Sequence, residues 1–148
     1  MTTLKIKRLN ENAVLPSRAT DHSAGYDLYA CVENPVVVPA GGRVSIPCGI
    51  AVEISGAEAA GFIFGRSGLG AKHGIVPANA VGVIDADYRG EIMVCLANHA
   101  DVEYTVRQGE RIAQLVIMPI LTPPIREVEE LSRTVRGIGG FGSTGTGG

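Results

Sequence analysis

Short runs in which apolar residues alternate with polar ones recur along this chain, and turn residues separate them. Runs of this length, spaced by Gly, Pro, Asn and Asp, predict strands of an all-β sandwich or barrel. The predicted strands cover residues 4–9, 26–32, 36–38, 43–46, 50–54, 61–64, 81–84, 91–97, 102–106 and 112–120. Helix signals are sparse: only residues 57–60 and the stretch after Ser67 are predicted to form one or two helical turns each.

The C-terminal part of the chain departs from this pattern. Pro123 and Pro124 resist helix, so we expect the chain to leave the barrel here as an extended arm. No linker or internal repeat precedes them. We therefore predict a β-barrel domain over residues 1–124, with 125–148 as an arm and a flexible glycine-rich lid of the same domain. Val128 and Leu131 are candidates for anchoring the arm on a neighbouring surface.

Composition narrows the possible partners and the compartment. The chain has 148 residues, enough for one domain with a proper core, and a formal net charge of −2. This charge gives no general attraction to nucleic acid or anionic membrane, so we expect neither as a partner. Cys31, Cys48 and Cys95 lack metal-type spacing; the first and last lie among apolar residues and are expected to be buried free thiols. A reducing cytoplasm fits best, and the scattered histidines argue against a zinc site.

Residues 79–91 predict a β-hairpin with an acidic, aromatic tip. An apolar strand, a tight turn and a second strand carrying Met93 would present Asp85 or Asp87, together with Tyr88, to a cleft. The exposed backbone of such a hairpin could also contact the hydrogen-bonding edge of a base. Alternatively, the aspartates only cap the turn. Sequence spacing alone does not choose between the two aspartates.

Three further segments carry polar groups in otherwise apolar or flexible surroundings. The loop Gly65-Arg-Ser-Gly-Leu-Gly70 places a guanidinium beside a hydroxyl, which suits phosphate binding, although a simple β-turn with a solvated arginine is the alternative. Asp27 lies in an apolar strand, where a carboxylate requires a cation, an arginine or a metal-bound water. Gln114 is either a core amide with backbone partners or a group that faces a site.

The glycine-rich tail combines groups that suit a nucleotide. Arg136 supplies a planar fork matched to phosphate oxygens, Phe141 could lie over a base, and Ser143 and Thr144 could donate to phosphates. Glycine lets the backbone close on an anion, so the tail is predicted to be disordered when empty and ordered over a nucleotide. The alternative is an ordinary frayed terminus.

Taken in order, these segments resemble the five motifs of the homotrimeric dUTP diphosphatases (dUTPases). The motifs are Ala24-Gly-Tyr-Asp-Leu28, Arg66-Ser-Gly-Leu69, Gly82-Val-Ile-Asp-Ala-Asp-Tyr-Arg-Gly-Glu91, Arg111-Ile-Ala-Gln-Leu115 and residues 136–145. The resemblance implies a jelly-roll-like β-barrel that forms a homotrimer with active sites between subunits. It implies hydrolysis of dUTP to dUMP and pyrophosphate, which limits uracil incorporation into DNA and supplies dUMP for dTMP synthesis.

The resemblance also implies a role for each matching residue. Asp85 matches the water-activating aspartate, Ser67 and Gln114 match phosphate- and water-orienting positions, and Asp27 matches the residue that holds Mg²⁺ through water. Tyr88 matches the ring beneath the sugar, and Phe141 the ring that stacks on uracil. The other substrate-binding positions are Arg66, Gly68, Asn79, Gly82, Val83, Met93, Arg136, Gly142, Ser143 and Thr144. One protomer would supply the groups around Asp27, a second the hairpin and a third the arm.

Two alternatives are a dCTP deaminase of the same fold and a nucleotide-sensing regulatory protein that resembles a dUTPase. Arg66-Ser-Gly-Leu69 and the glycine-rich tail favour the dUTPase over the deaminase. Gly65 stands where a proline is frequent in the family, which could loosen that loop but leaves the contacting groups in place.

Overall fold

The computed structural model describes residues 3–56 and 58–140, which form an all-β fold with one short helix. The fold class predicted from the sequence is therefore confirmed. The elements are β1 (Leu4–Arg8), β2 (Tyr26–Tyr29), β3 (Val36–Val38), β4 (Arg43–Ile54), β5 (Ala59–Phe64), α1 (Ser67–His73), β6 (Ile75–Pro77), β7 (Gly82–Ile84), β8 (Glu91–Asn98), β9 (Tyr104–Val106) and β10 (Arg111–Pro119).

The strands form two antiparallel four-stranded sheets and one strand pair, as in a jelly roll. One sheet has the order β1-β4-β8-β6, the other has the order β2-β10-β5-β7, and β3 pairs with β9. Alternate residues of β8 face the core, which includes Ile92, Val94 and Leu96, while Met93 between them is exposed. The inward faces of both sheets thus enclose one apolar core.

The strands predicted over 43–46 and 50–54 are one continuous strand, β4. Pro47 and Gly49 have the composition of a strand break, but the pairing with β8 only shifts between Pro47 and Ala51. Gly49 has φ 66°, and a Cβ there would lie 2.7 Å from Cys31 Sγ. Glycine therefore lets the chain kink against the core without ending the strand.

The hairpin predicted over residues 79–91 is wrong in its pairing. β7 pairs with β5, whereas β8 pairs with β4 and β6, so the acidic turn crosses from one sheet to the other. Each strand gains a long-range partner that helps to bury its apolar residues, and such partners are not visible in local sequence. The turn itself is present, because the Tyr88 amide donates to the Asp85 carbonyl at 3.1 Å.

Smaller predictions also differ from the structure. Residues 59 and 60 begin β5 and are not helical, whereas the stretch after Ser67 does form α1. The short strand β6 was not predicted, because Ile-Val-Pro is too brief to show a period. Cys95 is half-buried, not buried as expected; Cys31 and Cys48 are buried, and all three thiols are free.

Beyond β10 the chain has no regular structure through residue 140, the end of the described part. Residues 121–138 are all exposed, including the apolar side chains of Leu121, Ile125, Val128 and Leu131. The role of residues 125–148 as an arm stays a prediction. No described helix is long and apolar enough to cross a membrane.

Candidate active site

Three segments that are distant in sequence meet around one open cavity of about 460 Å³. Gly25 directly precedes β2 and Asp27 lies in it, Arg66, Ser67 and Gly68 come from the junction of β5 and α1, and Gln114 comes from β10. The sequence proposed a site function for five of these residues, and the structure brings those five together with Gly25.

Sheet register explains this convergence. β10 lies between β2 and β5, and Gln114 is directly opposite both Asp27 and Phe64. Residues opposite each other on neighbouring strands project from the same face of a sheet. The chain turns just after Phe64, so Arg66 reaches the same place from the end of β5.

Asp27 has the partners that its position requires. Its Oδ1 accepts from Arg66 Nε at 3.0 Å, and its Oδ2 accepts from Arg111 NH1 at 3.3 Å. The Asp27 side chain is 13% exposed, so two cations compensate for its desolvation. The sequence alone is compatible with three partners for this carboxylate, and arginine is the one observed.

Gln114 combines the two alternatives that the sequence left open. It is half-buried and its Nε2 donates to the Gly65 carbonyl at 3.0 Å, as a core amide would, but it also lines the cavity. Its Oε1 packs against Gly25, where an added Cβ would lie 2.9 Å away. The amide is therefore fixed between two backbone segments with one face toward the cavity.

A second group of candidate residues lies elsewhere on the chain. Asp85 is exposed in the turn between β7 and β8, and Tyr88 nearby is 43% exposed. Neither lines the 460 Å³ cavity. The Tyr88 hydroxyl donates to the Glu91 carbonyl at 3.0 Å, and this bond fixes its ring beside Gly90.

The candidate base-contacting residues flank this turn. Asn79, Val83 and Met93 are exposed, and Gly82 is half-buried. The Asn79 amide nitrogen lies 3.6 Å from the position that a Cβ on Gly82 would take, so these two residues are close neighbours. In one chain the described residues thus form two separate candidate surfaces, one around Asp27 and one around Asp85.

The tail contributes to neither surface in its described part. Arg136 is exposed, and its Nε donates to the Gly139 carbonyl at 2.9 Å. Four residues for which the sequence predicts nucleotide contacts lie outside the described residues: Phe141, Gly142, Ser143 and Thr144.

The donor atoms of the cavity restrict how a metal could be held. No group of three or more His, Cys, Asp or Glu side chains in residues 3–56 and 58–140 is arranged to hold an ion. Both Asp27 oxygens already accept from arginines. Mg²⁺ commonly keeps several waters and binds one or two carboxylates together with substrate phosphates. These donors are compatible with an ion of that kind, which Asp27 would contact through water, and they do not fit an ion held entirely by protein side chains.

The two buried cysteines, Cys31 and Cys48, are unsuited to nucleophilic chemistry. Burial, with the nearby charges of Glu91 and Cys31, raises the pKa of Cys48 to about 12. Burial and Glu91 also raise the pKa of Cys31. Since the thiolate is the reactive form, both thiols are inert at neutral pH. The polar side chains that line the cavity supply carboxylate, guanidinium, hydroxyl and amide groups.

Among the residues in or beside the cavity that were not recognised as site residues from the sequence, two make specific contacts with recognised ones. Gly25 allows the close approach of Gln114, and Arg111 pairs with Asp27. Both lie within quoted motifs, so a signal existed. The sequence showed the requirement of Asp27 for a cation, but not which arginine would meet it.

Comparisons with known proteins agree with one another. A family model described as dUTPase matches residues 11–145. A deoxyuridine 5'-triphosphate nucleotidohydrolase of Syntrophotalea carbinolica is 49% identical over 144 residues, covering 97% of this chain and 97% of that protein. The dUTPase of Staphylococcus bacteriophage 80alpha with dUpNHpp has a TM-score of 0.88 and 33% identity, covering 97% of this chain and 98% of that chain. A mutant dUTPase from phage phi11 of S. aureus, described for its coordination of a structural Mg(II) ion, has a TM-score of 0.79 and 30% identity and covers 88% and 99%.

Proposed function

The chain belongs to the dUTPase family, and on this premise we propose that it hydrolyses dUTP to dUMP and pyrophosphate. One observation carries the proposal: in this member of the family, a single cavity is lined by Asp27, Arg66, Ser67 and Gln114. In the cell the reaction would limit uracil incorporation into DNA and supply dUMP for dTMP synthesis. The free cysteines fit a reducing cytoplasm.

The complete site is proposed to form in a homotrimer. One subunit would supply the cavity around Asp27, a second the turn with Asp85 and Tyr88, and a third its C-terminal arm. Two features of the single chain support this division: the two candidate surfaces are separate, and apolar side chains of the arm are exposed. An arm of this kind can be exchanged between protomers and bury those side chains.

The proposed chemistry is attack of water on the α-phosphorus. Asp85 accepts a proton from the water as the new oxygen–phosphorus bond forms, and the bond to the bridging oxygen breaks to release pyrophosphate. Arg66 and Ser67 donate to phosphate oxygens, while Gln114 orients phosphate and water. The Gly68 backbone allows the phosphates to approach closely.

Mg²⁺ is the proposed cofactor, and the phi11 mutant dUTPase is described as coordinating a structural Mg(II) ion. When bound, it supplies charge neutralisation at the triphosphate oxygens. Asp27 would hold it indirectly by accepting from its hydrating water. The guanidinium of Arg66 adds positive charge on the same side of the cavity.

Selectivity is proposed to come from the second surface and the tail. The Tyr88 ring would occupy the space that a 2′-hydroxyl needs and thus exclude ribonucleotides. Asn79, Met93 and the backbone of Gly82 and Val83 would contact uracil. Arg136 would bind the γ-phosphate, Phe141 would stack on the base, and Gly142, Ser143 and Thr144 would close over the phosphates as a lid.

The direct test of the reaction is a panel of dUTP, UTP, dCTP and dTTP, each incubated with the purified protein and Mg²⁺. Chromatography should show conversion of dUTP alone to dUMP and pyrophosphate. Deamination of dCTP would replace the proposal with the deaminase alternative. Binding of dUpNHpp without any hydrolysis would instead support a nucleotide sensor.

Subunit mixing tests the shared site. The Arg66→Gln and Asp85→Asn proteins should each be nearly inactive alone, because every site in either trimer lacks one of these groups. After joint unfolding and refolding, mixed trimers should regain part of the activity, since some sites combine an intact cavity with an intact turn. Mixed trimers that are seen by native mass spectrometry but are inactive would overturn the proposed division.

A further inference from the structure

An irregularity in β10 brings Arg111 to the same face as Gln114. Along a regular strand these two positions, three residues apart, project from opposite faces. The pairing of β10 with β2 shifts between Arg111 and Ala113, and Ile112 and Ala113 are both buried. A bulge of this kind redirects a side chain, and bulges are frequent beside active sites. Arg111 is thereby directed toward Asp27.

Residue 111 contacts both charged groups of the cavity wall. Its side chain donates to Asp27 Oδ2 at 3.3 Å, and its backbone carbonyl accepts from Arg66 NH1 at 3.4 Å. Arg66 also donates from Nε to Asp27 Oδ1 at 3.0 Å. The three residues therefore form a closed ring of contacts. Two donors of the Arg66 guanidinium are engaged, which fixes its plane and leaves its remaining donors for a ligand.

Arg111 acts from outside the cavity. Arg66 and Asp27 line the cavity, whereas Arg111 does not, and its side chain is 48% exposed. Asp27 keeps its ion pair with Arg66 when the half-exposed Arg111 side chain is removed, so its charge stays paired and the loss of fold stability is limited. Partners that orient the groups in direct contact with a metal or ligand, by contrast, commonly matter for function.

We propose that Arg111 is a positioning residue for dUTP hydrolysis, which fixes the Asp27 carboxylate and, through it, the orientation of Arg66. The inference rests on the proposed function. Asp27 would otherwise be held by Arg66 alone and could rotate. Rotation would misplace both the oxygen that contacts the hydration shell of Mg²⁺ and the guanidinium that contacts phosphate.

Arg111→Gln is the main test, and Arg43→Gln is its matched control. Arg43 is likewise the exposed first residue of a strand, and it forms no ion pair among the described residues. Arg111→Gln should lower kcat/KM for dUTP by about 10- to 100-fold. It should also weaken dUpNHpp binding measured by calorimetry without metal, and shift the thermal midpoint by no more than about 4 °C. The control should leave all these quantities unchanged.

A double-mutant cycle separates positioning from a general loss of structure. In an Asp27→Asn background, Arg111→Gln should add little further loss in dUpNHpp binding, because the carboxylate that it positions is gone. Arg111→Lys, which keeps the charge, should be intermediate. If Arg111→Gln does not fold, the same cycle with Arg111→Lys applies.

Two results would overturn the inference: an Arg111→Gln protein that matches the Arg43→Gln control, or losses that simply add in the Asp27→Asn background. Failure of the proposed function is distinguishable from either result. In that case the native protein itself would leave dUTP intact, whatever the effect of Arg111 on dUpNHpp binding.

Discussion

The Tyr88 side chain lies over Gly90 so closely that a Cβ at position 90 would overlap the Tyr88 hydroxyl oxygen. The same hydroxyl donates to the Glu91 carbonyl at 3.0 Å. Glycine at position 90 thus creates the space for the ring, and the hydrogen bond keeps the ring in place. The turn between β7 and β8 is thereby a fixed support for an exposed aromatic side chain.

Gly90→Ala should therefore displace the Tyr88 ring and reduce the preference for dUTP over UTP. The measurement is kcat/KM for both nucleotides. Tyr88→Phe is the matched control: it keeps the ring and removes only the hydroxyl, so most of the preference should remain. An unchanged preference in Gly90→Ala would place sugar discrimination elsewhere.

Asp85→Asn should retain dUpNHpp binding and lose about 10²- to 10⁴-fold in kcat, because the amide cannot accept the proton of the attacking water. Asp87→Asn is the matched control, since this second aspartate of the same turn is also exposed. Single-turnover kinetics with dUTP distinguish the two variants. A near-normal rate in Asp85→Asn would remove Asp85 from the role of base.

Gly25→Ala should impair turnover by moving the Gln114 amide, because the added Cβ would lie 2.9 Å from Gln114 Oε1 and 3.2 Å from Val116 Cγ2. If the effect acts through Gln114, Gly25→Ala should cause little additional loss in a Gln114→Ala protein. Measuring kcat of both single variants and of the double variant decides this. Fully additive losses would indicate that Gly25 acts through another contact.

Truncation before Arg136 should leave the trimer intact but nearly inactive, because the groups proposed to close over the nucleotide are removed. Size-exclusion chromatography with light scattering measures the assembly, and dUTP turnover measures the function. A chain that ends at Gly145 is the control, since it keeps every proposed tail contact. Full activity of the shorter protein would show that the tail is not a lid.

Tyr104→Phe should reduce the loss of unfolding free energy that occurs as the pH rises above 10. Burial, with the hydrogen bond to Glu110 and the charge of Glu110, raises the pKa of Tyr104 from 10.0 to about 12. The folded state thus favours the protonated phenol; the resulting stability is complete below pH 10 and is lost as the pH rises toward 12. Urea unfolding across this pH range should show a smaller decrease in the free energy of unfolding for Tyr104→Phe than for the native protein. Ionisation of Cys48 lowers this free energy equally in both proteins. Identical slopes would contradict this pKa assignment.

Sequence patterns predicted local features better than long-range ones. Alternating apolar residues identified β8 and β10 almost to their ends, since inward and outward positions differ in burial. The same patterns contain no information on sheet partners, so the chain crossing between sheets at Asp85 was predicted as a hairpin. The requirement of Asp27 for a cation followed from its apolar neighbours. The identity of the second cation depended on a bulge that shifts the register of Arg111, and a bulge has no periodic signal.

The most direct test of the central claim is hydrolysis of dUTP by the native protein in water labelled with a heavy oxygen isotope, followed by mass spectrometry of both products. Attack of water on the α-phosphorus predicts that dUMP carries the label and that pyrophosphate does not. Label in pyrophosphate would contradict the account, because it would mean attack on the β-phosphorus. Intact dUTP after prolonged incubation with Mg²⁺ would contradict the proposed activity itself.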